Sequence, residues 1–282
     1  MFVDTVTSIG PAHAAAISRK PMARLAVISD IHGNLVAFEE VLRDIDSARV
    51  DAVLCLGDTV GYGPESKECL ALMRRACRLA IRGNHEDALI DDAQMPLWNS
   101  VARTGIAYAR RTMTHDELEF VAELPGSFSI AHVAFAVHDS PVPSDAAHGY
   151  LRTAEDAAFA FRGVSEPICL VGHTHIPGCF STISRTDCQV VAPEEVTLFT
   201  PQDPEVGGVM MYDLSRFGRT IMNPGSVGQP RDGDPRASYA IVDLEHSLVE
   251  FRRVAYDIEL AARRFRAAGL PEATFERLAL GA

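Results

Sequence analysis

Leu25-Ala26-Val27-Ile28-Ser29-Asp30-Ile31-His32-Gly33-Asn34 is the stretch from which the rest of the chain is read. A short apolar run closed by Gly and Asn has the pattern of a buried strand passing into a loop. Residues two apart share one face of a strand, so the Asp30 carboxylate and the His32 imidazole can address one object. Such a pair beside a glycine turn suits a divalent transition metal. A single D-x-H triplet has little specificity, and its meaning depends on the other strand ends.

Outward from that stretch, the same pattern repeats. Asn34 can cap a helix over 35–48, with Leu35, Phe38, Leu42 and Ile45 on one face. Val53 to Leu56 forms a second buried strand that ends in Gly57-Asp58. Strand, helix, strand implies a right-handed parallel crossover, with Asp58 at the same sheet edge as Asp30. Residues 65–76 predict another helix, and Leu79 to Ile81 a third strand ending in Arg82-Gly83-Asn84-His85-Glu86. Residues 87–124 are helical and connective. Trp98, Val101, Ile106 and Tyr108 supply apolar surface there, and Thr114 with Glu117 forms a capping box.

Composition narrows the function. The 282 residues are 47% apolar, ordinary for a globular protein, and carry a formal net charge of −12. That charge disfavours a nucleic-acid coat or an anionic membrane surface as partner. No apolar run approaches the roughly twenty residues of a membrane span. The cysteines at 55, 69, 77, 169, 179 and 188 contain no C-x-x-C pair and read as buried thiols of a reducing compartment, hence a cytoplasmic protein. Residues 1–21 have no sustained period and read as a flexible extension before one domain over 22–282.

Residues 128–141 predict a strand with two histidines, of which only His138 stands at its end. His132, like His13, His115, His148 and His246, reads as an ordinary packing or surface histidine. A helix over 153–161 and a buried strand over 167–171 then lead to Gly172-His173-Thr174-His175. Two histidines separated by one residue after a strand and a glycine can reach adjacent metals. The remainder predicts strands over 207–214, 219–222, 238–244 and 248–255, with helix over 257–279.

Asp30-x-His32, Gly57-Asp58, Gly83-Asn84-His85-Glu86, His138 and Gly172-His173-x-His175 resemble, in order, the signature of the calcineurin-like metallophosphoesterases. The likeness runs over residues 22–256 and is nearest the small bacterial single-domain, phosphodiesterase-like branch. Asn223 to Val227 resembles a loop that borders the active site there. The resemblance implies an α/β fold, a four-layer αββα sandwich with two mixed sheets face to face and helices outside. It assigns Asp30, His32 and His175 to a first metal, Asn84, His138 and His173 to a second, and Asp58 to a bridge between them. Two cations about 3.5–4 Å apart clamp a phosphoryl group and turn a bridging water into hydroxide. Mixed His, Asp and Asn donors favour manganese first, then iron, zinc or nickel, over magnesium or calcium. His85, beside a ligand, is the candidate to assist the leaving group.

The protein Ser/Thr phosphatase branch carries an Asp-Arg pair just after the bridging aspartate, where this chain has Thr59-Val60-Gly61-Tyr62-Gly63-Pro64. The expected activity is therefore hydrolysis of a small phosphodiester or nucleotide-type substrate. A protein Ser/Thr or small-molecule phosphomonoesterase is the alternative, and a catalytically silent metal-binding scaffold is a more distant one. Arg231 and Arg236 are candidates to grip phosphate oxygens. Residues 185–206, with Glu194, Glu195 and Asp203, suggest an acidic cover or oligomer contact that disfavours polyanions. A small phosphate ester is thus the expected partner, with no stable nucleic-acid partner, no membrane, and a homo-oligomer left open.

Overall fold

Strand β1 (Arg24–Ile28) sends alternate side chains into two different cores, and this alternation sets the layers of the molecule. The computed structural model describes residues 23–282 except 92, 94, 96, 97, 131, 143–148, 184–189 and 202–208. The expected extension at 1–21, His13, His148, Cys188 and Asp203 lie outside the described residues.

Helix α1 (Leu35–Ala48) begins as expected, with Asn34 Oδ1 accepting from Ala37 N at 3.2 Å. Strand β2 (Ala52–Cys55), helix α2 (Ser66–Ala76) and strand β3 (Leu79–Ala80) follow, and β1, β2 and β3 pair in parallel. Helices α3 (Asn84–Ile90), α4 (Ser100–Thr112) and α5 (His115–Glu123) come next, the last with the Thr114–Glu117 capping box.

The predicted single strand over 128–141 is instead a hairpin, β4 (Ser127–Ile130) and β5 (Ala134–Val137). His132 adopts φ 59° and Val133 N bonds back to Ile130 O at 2.7 Å, so the chain reverses where simple alternation continues it. Helix α6 (Ala154–Ala160), β6 (Ile168–Leu170), β7 (Gly178–Thr182) and β8 (Val196–Phe199) complete the middle. Part of 185–206 is therefore sheet edge, and Glu194 and Glu195 belong to the 3₁₀ turn that enters it. The chain finishes with β9 (Val209–Asp213), β10 (Thr220–Asn223), β11 (Ala237–Asp243), β12 (Leu248–Val254), α7 (Ile258–Ala267) and α8 (Glu272–Phe275).

The strands form two mixed six-stranded sheets, ordered β3-β2-β1-β11-β12-β9 and β4-β5-β6-β10-β7-β8. Leu25, Val27, Leu54, Ala240 and Val242 of the first meet Ala136, Ile168, Leu170 and Met222 of the second in one apolar layer. On its far face the first sheet packs Ala26, Ile28, Val53 and Ile241 against Phe38, Val41 and Ile45 of α1. On the other side Cys169, Ile221 and Phe180 pack against Ala157 and Ala160 of α6. The result is the helix–sheet–sheet–helix sandwich read from the sequence. Each fully buried Leu, Ile or Phe contributes about 1.5–3 kcal/mol. No helix among the described residues is long and apolar enough to cross a membrane.

Candidate metal centre

The parallel strands β1, β2 and β3 of one sheet and β5 and β6 of the other deliver their carboxyl ends to one place. Asp30, His32, Asp58, His85, His138, His173 and His175 are all buried there. Three groups within the cluster bring potential ligand atoms within 4.8 Å of one another: Asp30 with His32 and His175, His32 with Asp58 and His85, and Asp58 with His138 and His173.

The convergence of Asp30 and His32 is not strand alternation, since β1 stops at Ile28. Asp30, His32, Asp58, His173 and His175 all take left-handed backbone, with φ between 49° and 66°. Such residues cost on the order of 1–3 kcal/mol each and persist only where their surroundings hold them. Here Asp30 N donates to Gly57 O at 3.1 Å and His32 N to Asp58 O at 2.9 Å, locking the two loops together. The sheets are tied by His173 N, which donates to the Asp30 carboxylate at 3.1 and 3.2 Å. Gly172 must lack a side chain, because a Cβ there would collide with Ser29 Oγ and crowd Asp30 Oδ2.

The histidines are oriented from behind. His32 Nδ1 donates to Val60 O at 3.1 Å, His138 Nδ1 to Leu56 O at 2.7 Å and His175 Nδ1 to Gln229 O at 2.5 Å. Each bond fixes the tautomer and turns Nε2 inward, as a metal-ligating histidine requires. Burial drives His32 and His175 below the ordinary imidazole range, and His173 down to about 3. Neutral His32 and His175 then set two Nε2 lone pairs 3.0 Å apart, with Asp30 Oδ1 3.3 Å from the latter. Such an electron-rich hollow calls for a cation.

On the other side, His138 Nε2 lies 3.3 Å from Asp58 Oδ2. Burial alone would lower His138, but Asp58 and Asp30 outweigh it and hold the ring well above the usual range. Asn84 Oδ1 is buried with no hydrogen-bond partner among the described residues. The donor set of imidazoles, carboxylates and one amide oxygen fits divalent transition metals.

His85 is arranged differently. Its Nε2 stands 4.0 Å from Asp58 Oδ2, and its ring packs against Tyr62 and Trp98, each at 4.8 Å between centroids. Burial pushes it down to about 4, so the ring is neutral near pH 7. It lines a cavity of about 240 Å³ with Asp58, Tyr62, Tyr150, His173 and Arg231. Arg231 donates from Nη2 to Gln229 Oε1 at 2.9 Å, while its buried Nε has no hydrogen-bond partner among the described residues. Arg236 is not among the lining residues, and its Nη2 donates to Asp234 Oδ2 at 2.6 Å.

Several contributors had no role in the sequence reading, Glu86 among them although it stands in the third motif. Glu86 is fully buried and accepts from Asp58 N, Thr59 N, Val60 N and Gly83 N at 2.7–3.2 Å. Its signal was its place three residues after Gly83, the N3 position of α3. Trp98, read as apolar surface, stands beside His85. Tyr150 stacks on His173 at 4.2 Å, and Arg152 lies 4.6 Å from the Tyr150 ring. No periodicity marks either aromatic, because each reaches the site from a loop.

A family model for the calcineurin-like phosphoesterase superfamily domain matches residues 23–247. The solved metallophosphoesterase of Sphaerobacter thermophilus is 40% identical, with a TM-score of 0.75 over 92% of this chain and 99% of its own. An uncharacterized protein of Methanocaldococcus jannaschii is 32% identical over 261 residues, 91% of this chain and 98% of that protein. Serine/threonine-protein phosphatase 1 of Salmonella typhimurium is 33% identical over 103 residues, 35% of this chain and 47% of that protein.

Proposed function

This chain belongs to the calcineurin-like phosphoesterase superfamily, and from that premise we propose that it is a phosphodiesterase for a small diester, working with two divalent cations. The observation that carries the reading is the pair of inward lone pairs on His32 and His175 beside Asp30, facing His138 and Asp58 across the same hollow. Asp30, His32 and His175 would hold one cation, and Asn84, His138 and His173 the other, with Asp58 shared. Manganese suits these donors, with iron, zinc or nickel as alternatives. Bound cations supply Lewis acidity toward the phosphoryl group and its attacking water. Arg231 grips a phosphoryl oxygen through its unpartnered Nε. His85, neutral and facing the same cavity, offers an N–H to the leaving oxygen. Arg236, engaged by Asp234, braces the neighbouring loop. The buried thiols Cys55, Cys69, Cys169 and Cys179, all free, favour the reducing cytoplasm.

The partial likeness to a serine/threonine phosphatase supports a second reading, a phosphomonoesterase, against which stands the missing Asp-Arg pair after Asp58. Hydrolysis of bis(p-nitrophenyl) phosphate beside p-nitrophenyl phosphate, with manganese and with chelator, separates the two. The expected result is chelator-sensitive diester turnover that His85→Ala lowers by about 10²–10⁴-fold. Turnover of the monoester alone would replace the reading with the second one.

A further inference from the structure

Tyr62 stands in a backbone conformation that a bulky residue rarely takes, with φ 49° between Gly61 and Gly63. The turn is held from several sides. Gly63 N donates to His32 O at 2.9 Å, and Gly61 N to Ser66 Oγ at 3.1 Å. From α4, Gly105 approaches so closely that a Cβ there would stand 2.3 Å from Tyr62 N. Strain of this kind persists only where the surroundings over-determine it, and it gathers at functional sites. A glycine would satisfy the same backbone without strain, so what the turn secures is the place of the phenol ring.

That ring is buried and touches three groups with different tasks. It meets His32 edge-on at 4.7 Å between centroids and lies tilted by 35° against His85 at 4.8 Å. Its hydroxyl accepts from Arg231 Nη2 at 3.4 Å. His85 depends on contacts of this kind. His32, His138 and His175 are each set by a hydrogen bond from Nδ1 to a backbone carbonyl. His85 Nδ1, by contrast, is buried with no hydrogen-bond partner among the described residues. The rings of Tyr62, Trp98 and His32, at 4.6–4.8 Å between centroids, orient this imidazole instead. Of the three, Tyr62 is the one that also reaches Arg231, whose Nη2 is shared between Tyr62 and Gln229. Resting on the phosphodiesterase reading, we propose that Tyr62 is a positioning residue that aligns two groups at once. Its ring directs the His85 N–H toward the leaving oxygen, and its hydroxyl holds Arg231 at the phosphoryl group.

The two contacts are separable. Tyr62→Phe keeps the ring and removes the hydroxyl, whereas Tyr62→Leu removes both. With bis(p-nitrophenyl) phosphate and manganese, Tyr62→Phe should raise KM about threefold and leave kcat within about twofold. Tyr62→Leu should in addition lower kcat about tenfold. Placed in the His85→Ala protein, Tyr62→Leu should lower kcat by no more than about twofold further, because the imidazole it orients is gone. A full tenfold further loss in that background, or a Tyr62→Phe protein as slow as Tyr62→Leu, would overturn the positioning role. Calorimetric binding of inorganic phosphate to the manganese-loaded protein reads the hydroxyl contact without turnover. Tyr62→Phe should weaken it about threefold, and should change nothing once Arg231 is replaced by alanine. Phosphate affinity untouched by Tyr62→Phe would overturn the link to Arg231. That dependence in a protein that hydrolyses no diester would support the link while removing the phosphodiesterase reading.

Discussion

The two sheets bring different means of support to the same centre. On the first sheet the loops carrying Asp30, His32 and Asp58 are braced by a buried carboxyl: Glu86, pushed up to about 7 by burial and by the neighbouring Asp58, gathers four backbone N–H groups from Asp58, Thr59, Val60 and Gly83. On the second sheet the loop carrying His173 and His175 is braced by a neutral amide. Asn223 Nδ2 donates to Gly172 O at 2.6 Å and Thr174 Oγ1 at 3.0 Å, and its Oδ1 accepts from Gly225 N at 2.8 Å. Hydrogen bonds to a charged group are worth about 1.5–3 kcal/mol, and neutral ones about 0.5–1.5 kcal/mol. The first sheet holds both carboxylates of the centre, whose mutual repulsion must be restrained before a cation arrives. The brace that gathers more backbone donors stands where that repulsion is generated, and its own carboxyl shares in it.

Removing the braces one at a time measures the difference. Glu86→Ala should have the largest effect, lowering stability of the chelator-treated protein by about 3–5 kcal/mol in urea unfolding, because four buried N–H groups lose their acceptor. Asn223→Ala should cost about 1–3 kcal/mol in the same assay. Equal losses for the two would remove the distinction between the sheets. Thr114→Ala, which deletes the exposed side-chain cap of α5, should cost about 1 kcal/mol and sets the scale for an ordinary surface contact.

Much of this was legible in the sequence for a definite reason. The candidate ligands follow apolar strands at once, so Asp30, Asp58, Asn84, His138, His173 and His175 could be picked out by their position at strand ends. The two-sheet sandwich was implied by the family resemblance, and the switch from strand–helix alternation to a run of strands agrees with it. What was illegible depends on backbone reversal or long-range contact. The hairpin at His132 turns through a positive φ that strand alternation does not foresee. Tyr150 reaches His173, and Trp98 reaches His85, from loops whose paths no periodicity encodes. Arg236 lay in the same loop as Arg231, but its own neighbour Asp234 claims it.

Metal content per chain tests the central claim most directly. The protein would be stripped with chelator, reloaded with manganese, freed of excess metal by gel filtration and assayed by inductively coupled plasma mass spectrometry. The expected result is two equivalents in the wild-type chain, with His138→Ala retaining one and Asp58→Asn binding both more weakly. One equivalent or none in the wild-type chain, at a concentration of free metal that saturates its activity, would contradict a two-cation centre built by these strand ends.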